Sequence, residues 1–198
     1  SSDFLMKKIK WDNIDMAFAC TSKNMGIAGA NVVILRNDIL SNMKYNSNSA
    51  IPCILDWKLY ADTYSLYNTP ATFNFYVFDY ILDNYIDEMK NINQIDEYNK
   101  LKANYLYDFF DNSKLYTTIV KDKNIRSNIN IPFIVGDGSE KVRTEFLKHC
   151  YDHNLVGLRT QTPFSYDSLG LIEPLRISLY NGIKLEDVKR IIQVMDAF

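Results

Sequence analysis

The chain has 198 residues, 47% hydrophobic and 23% charged, and its 22 Lys+Arg against 24 Asp+Glu give a formal net charge of −2. That size and apolar content suffice for one sizeable core or two small ones and exclude disorder, collagen and coiled coil. The near-neutral balance offers no basic field to a nucleic-acid backbone, and the apolar runs, such as NVVIL from Asn31 and FYVF from Phe75, are only a few residues long and fall well short of the roughly 20 that cross a bilayer, so neither nucleic acid nor a membrane is an expected partner.

Cys20, Cys53 and Cys150 form an odd set without CxxC spacing, and the opening SSDFLMKKIK has no signal-peptide core, which points to a reducing, cytoplasmic compartment. The chain opens at Ser1 without a Met and runs almost at once into strand-like sequence, so it is expected to be a fragment.

In chain order, Asp15–Cys20 and Asn31–Leu35 are apolar runs of strand length on either side of the small-residue turn TSKNMGIAGA. From Asn37 to Tyr67 the pattern is polar, with IPCIL from Ile51 as its apolar patch, and a long ordered connection is expected. Thr69-Pro70, a good N-cap followed by a residue suited to a first turn, predicts a helix from about Pro70 to Lys90. A second helix is predicted from about Gln94 to Asn112, with Ile95, Tyr98, Leu101, Tyr105 and Phe109 on one stripe and the polar NINQ before it as a domain boundary. LYTTIV predicts a strand, and Ile129, Ile131, Phe133 and Val135 alternating with polar residues and Pro132 predict a strand buried on one face. A helix from Ser139 to Asn154, strands at LVGLR and LRISLY, and an amphipathic helix through Leu185, Val188, Ile191, Ile192 and Met195 complete an α+β layer with helices on one side of a sheet.

Several residues on this frame can carry chemistry. Lys23, at a strand end among small neighbours, can approach a carbonyl and form a Schiff base; a solvated loop lysine has the same pattern. Asn68-Thr69-Pro70 at a helix start favours an anion such as phosphate, against ordinary capping. Arg176, with Ser178 and Tyr180 on the face of LRISLY opposite Leu175, Ile177 and Leu179, suits a bidentate carboxylate clamp or a surface ion pair. His149 and His153 stand four apart, but no third ligand follows and there is no HExxH, so no metal site is expected. Gly26-Ile27-Ala28-Gly29 lacks the GxGxxG spacing, and serine-nucleophile and P-loop motifs are absent.

SSDFL, SKNMGIAGANVVILRNDIL, YNTPATFNFYV, RSNINIPF and LRISLYNG, in this order, resemble the C-terminal half of the phosphoserine aminotransferase family, pyridoxal-phosphate enzymes of the aspartate-aminotransferase-like fold type I. The resemblance implies an α/β protein: the C-terminal portion of a large cofactor-binding domain over 1–93 and a small α+β domain over 94–198. It implies Lys23 as the Schiff-base lysine and proton carrier, Asn68 and Thr69 as ligands of the cofactor phosphate in the neighbouring subunit of a homodimer with shared sites, and Arg176 as the clamp on the α-carboxylate of amino-acid and 2-oxo acid substrates. The implied reaction is transamination between phosphoserine and 2-oxoglutarate in serine biosynthesis.

Two departures accompany it. Ser22 stands where the family has Gln beside the lysine, leaving a hydroxyl to meet the cofactor phosphate. Where the family has Lys-Gly-His-Arg, this chain reads Arg159-Thr160-Gln161-Thr162-Pro163-Phe164, so the His-Arg pair that meets the substrate phosphate is missing and Arg159 is the nearby cation. A related transaminase without phosphate selectivity, or a non-catalytic degenerate subunit, are the alternatives. The family's Asp for the pyridinium nitrogen is expected upstream of Ser1, so these 198 residues alone are expected to be inactive.

Overall fold

A computed structural model describes residues 2–43, 52–89, 91–159 and 172–198. The chain divides into two compact units, Ser1–Asn93 and Gln94–Phe198. None of the described helices is long and apolar enough to cross a membrane.

The first unit is organised by a hairpin. Strand β1 (Met16–Cys20) pairs antiparallel with β2 (Asn31–Leu35) in a register that sets Met16 opposite Leu35 and Cys20 opposite Asn31. Backbone bonds extend the ladder at both ends, Arg36 N–H to Asp15 O at 3.0 Å and Thr21 N–H to Ala30 O at 3.0 Å. Helices α1 (Asn37–Asn42) and α2 (Trp57–Asp62) follow, so part of the expected polar connection is helical. Helices of six residues contain too few turns to show a period, and α2 is set by a local signal instead, the Asp56 carboxylate accepting from Leu59 N–H at 3.1 Å. The unit closes with α3 (Thr72–Met89). It begins two residues later than predicted: Ala71 O, rather than Thr69 O, receives the first helical bond, from Phe75 N–H at 3.2 Å. The Thr72 hydroxyl donates back to Pro70 O at 3.3 Å, so Thr69 and Pro70 lie in the approach to the helix and not in its first turn.

In the second unit α4 (Ile92–Asn112) leads into a sheet of β3 (Tyr116–Thr118), β4 (Asn130–Val135) and β5 (Leu175–Ser178), in the order β3-β4-β5 and antiparallel throughout. The predicted alternation of β4 is observed, Ile131, Phe133 and Val135 being buried. Pro132 is tolerated in this central strand because β3 has ended at Thr118; its carbonyl still accepts, at 3.5 Å, from Ile119 N–H. Helices α5 (Glu140–Asp152, capped by the Ser139 hydroxyl) and α6 (Leu185–Asp196) complete the unit.

The inner face of the sheet and helices α4, α5 and α6 share one core. Phe133 stacks on Phe110 at 5.1 Å and meets Tyr116 and Phe146 edge-on. The helices therefore lie on one side of the sheet, as predicted, leaving its other face to Arg176 and Ser178. LVGLR, expected as a strand, supplies only an isolated antiparallel bridge between Arg159 and Leu175. Asn154 at φ +60° and Gly157 at φ +84° turn the backbone out of the extended region on either side of Leu155 and Val156.

Candidate active site

The loop between β1 and β2 carries Lys23, and its shape follows from three anchors. Thr21, buried, directs its hydroxyl back across the loop to Ile27 O and Ala30 O at 2.5 and 3.1 Å. Asn24, also buried, spends both amide hydrogens on Ser2 O at 3.0 Å and Phe4 O at 3.1 Å. Lys23 N–H donates to Thr21 O at 2.8 Å. The backbone of Lys23 is thus fixed on both sides while its side chain is exposed.

The far half of the loop lies against α3. Asn74 donates to Ala28 O at 2.6 Å. Gly26 (φ +134°) approaches Val77 so closely that a Cβ would sit 3.1 Å from its methyl, and at Gly29 (φ +123°) a Cβ would sit 2.8 Å from the Asn74 amide nitrogen. These glycines supply both a backbone conformation closed to other residues and the space for a helix to pack. The loop is thereby tied to the helix whose entry carries Asn68 and Thr69.

Both of those residues are exposed and precede the first turn of α3. The donors at the helix start are the N–H groups of Thr72, Phe73 and Asn74, since Phe75 N–H is already bonded to Ala71 O. Ser22 is exposed and its hydroxyl donates to Cys20 Sγ at 3.2 Å. That hydrogen bond, reinforced by the Lys23 charge, holds the Cys20 thiol below its ordinary value.

In the second unit Arg176 projects from the outer face of β5, half-buried, with Ser178 beside it. Its backbone N–H donates away from the sheet to Leu158 O at 2.8 Å. The pair it forms with Pro132 is therefore of the non-hydrogen-bonded kind, in which facing side chains lie closest. Ser178 donates to Asn130 Oδ1 at 2.9 Å across the same strands. Arg159 is exposed and stands 3.8 Å from the Glu140 carboxylate; the residues after it, from Thr160, lie outside the described ones. His149 Nε2 contacts Val194 O and His153 Nδ1 contacts His149 O, both at 2.8 Å, so each ring is occupied by a carbonyl.

The profile of the family Aminotransferase class-V matches residues 5–191. The chain belongs to the class-V aminotransferase family. Over its whole length it is 32% identical to the phosphoserine aminotransferase of Blochmanniella floridana, of which it covers 50%. The phosphoserine aminotransferase of Trichomonas vaginalis, solved with PLP bound, superposes with a TM-score of 0.85 at 29% identity over 99% of this chain and 52% of that one. That of Bacillus circulans subsp. alkalophilus gives a TM-score of 0.85 at 31% identity over 100% of this chain and 50% of that one. The fold is the fold type I architecture of these class-V enzymes, and the chain spans about half the length of the relatives it matches.

Sequence reasoning singled out Lys23 but not what holds it. Asn74 was the available signal, an amide in the otherwise apolar and aromatic FNFYVF at the start of α3. Thr21 and Asn24 carried none, because small polar residues in a turn are ordinary until their burial is known.

Proposed function

We propose that this chain is the C-terminal portion of a pyridoxal-phosphate-dependent phosphoserine aminotransferase, a cytoplasmic homodimer exchanging an amino group between phosphoserine and 2-oxoglutarate. The observation that carries the reading is the Lys23 loop: a primary amine on a backbone anchored from both sides, tied by Asn74 and two glycines to the helix after Asn68-Thr69. Likeness to phosphoserine aminotransferases over the whole chain supports the substrate assignment.

The donor set fits a phosphorylated aldehyde. Lys23 offers the amine and Ser22 an exposed hydroxyl, while Asn68 and Thr69 offer exposed hydroxyl and amide donors to the cofactor phosphate of the neighbouring subunit, each of the kind a phosphate accepts. When bound, the cofactor supplies the electron sink that acidifies the Cα hydrogen of an amino acid. Lys23 Nζ removes the proton from Cα of the donor and returns one to Cα of the amino acid formed from the 2-oxo acid. Arg176 holds the α-carboxylate of donor and acceptor with its fork of N–H groups, which fixes their orientation on the strand that carries it.

Replacing Lys23 by Ala in the intact protein is expected to abolish the visible absorbance of lysine-linked cofactor and the transamination activity together; a variant that keeps both would sink the assignment. A second reading, a transaminase without phosphate selectivity, is favoured by the sequence Arg159-Thr160-Gln161-Thr162-Pro163-Phe164 and by the proximity of Arg159 to Glu140. Comparable turnover of phosphoserine and unphosphorylated amino acids would select it.

A further inference from the structure

The strand that carries Arg176 is four residues long and lies at the edge of its sheet, a place where short strands fray. Two buried cations from the helices beneath the sheet grip it, one at each end. At its entry, Arg143 of α5, with a side chain 5% exposed, donates to Glu173 O at 3.2 Å and lies 3.1 Å from the Glu173 carboxylate. Its partner Glu140 on the same helix lies 3.8 Å from Arg159, the residue bridged to Leu175. The Arg143 group therefore engages both backbone segments that frame Arg176.

At the strand's exit, Lys102 of α4 is fully buried, and among the described residues its ammonium makes no direct ion pair, the opposite charge of Asp187 acting on it without contact. Its ammonium donates instead to three carbonyls of the turn after β5, those of Leu179, Tyr180 and Ile183 at 3.5, 3.3 and 2.8 Å. Burying a charge is costly even with these carbonyls, the Tyr98 ring 5.3 Å from the ammonium and the Asp187 charge, and a methionine would fill the same volume without that cost. What the charge provides is three convergent bonds on one turn, a geometric constraint that an apolar side chain lacks.

We propose that Lys102 and Arg143 are positioning residues that fix both ends of β5 and thereby aim the Arg176 guanidinium at the substrate carboxylate. The proposal rests on the reading of Arg176 as the carboxylate clamp. A bidentate clamp tolerates little angular error, and a displacement of about 1 Å in a positioning element costs up to about 100-fold.

The test uses the intact enzyme, with glutarate as the probe, a dicarboxylate of the acceptor's length, and glutaramide as its uncharged counterpart. Lys102→Met and Glu173→Gln conserve volume, and thermal unfolding identifies which of them is folded. Each folded variant is expected to weaken glutarate binding about tenfold and to leave glutaramide unchanged. In an Arg176→Ala background, which itself loses the carboxylate preference, the same substitutions are expected to have less than about a twofold effect on glutarate. Unchanged glutarate affinity in the folded single variants overturns the proposal, as does an equal loss with and without Arg176. If Arg176→Ala leaves glutarate binding intact, the clamp reading itself is overturned.

Discussion

Gly29→Ala isolates what the lysine loop owes to one close approach. Gly29 sits at φ +123°, a region essentially restricted to glycine, where another residue costs about 1–3 kcal/mol. The new Cβ would lie 2.8 Å from the Asn74 amide nitrogen. Asn74 is the end of a flexible side chain and can swing aside, but it then gives up its 2.6 Å hydrogen bond to Ala28 O, a loss of about 0.5–1.5 kcal/mol. The sum is about 2–4 kcal/mol, or roughly 30- to 1,000-fold in the equilibrium for opening the loop. Amide hydrogen exchange at Thr21, whose N–H is held by Ala30 O across the base of the loop, reads that equilibrium in the native protein. Asn74→Ala alone is expected to lower protection by about 2- to 12-fold, the hydrogen bond without the backbone strain. The double variant is expected to lose no more than Gly29→Ala, because the clash and the lost bond are one event. Protection within twofold of wild type in Gly29→Ala, or a double variant equal to the product of the singles, refutes this account.

Phe133→Ala, at the centre of a ring cluster with Phe110, Tyr116 and Phe146, is expected to cost about 3–5 kcal/mol and to unfold the second unit at a lower denaturant concentration, followed by near-ultraviolet circular dichroism. Tyr116→Phe removes the 2.6 Å hydrogen bond to Met195 O and is expected to cost only about 1 kcal/mol by the same assay, since Phe198 N–H still donates to that carbonyl. Arg126 grips Asp111 with two N–H groups at 2.7 and 2.8 Å and, with Lys123, holds its carboxyl well below the ordinary 3.8. A carboxyl whose folded value is depressed contributes stability above the unfolded value and loses it as pH falls through the folded one. Asp111→Asn is therefore expected to destabilise at pH 7 and to be indistinguishable from wild type in strong acid, measured as unfolding midpoints across that range. Cys150 is buried and its thiol pushed up to about 12 by desolvation, so a thiol reagent is expected to label Cys53 and Cys20 in the native protein and Cys150 only after unfolding.

The parts legible in the amino-acid order are those where one local signal dominates. The alternation of Ile131, Phe133 and Val135 sets which face of β4 is buried, and the same period places Arg176 opposite Leu175 and Ile177. Glycines and small residues between two apolar runs mark the hairpin loop and leave Lys23 at its edge. Thr69 and Pro70 each favour a helix start when read locally, yet the first helical bond forms at Ala71 O, two residues further on. LVGLR has the composition of a strand, but its hydrogen bonding is confined to one bridge by the positive φ angles of Asn154 and Gly157.

By itself, then, the sequence determined the strand periods and the amphipathic helices of the second unit, since each is carried by residues a few positions apart. Only the tertiary structure decided which polar residues are committed. Asn74 reaches Ala28 from 46 positions away, and Lys102 reaches Ile183 from 81. Neither partner can be read from the sequence, since it lies far along the chain. For Lys102 burial adds compulsion, because a polar group withdrawn from water must find its partners within the protein, and those partners are set by which backbone the fold brings beside it.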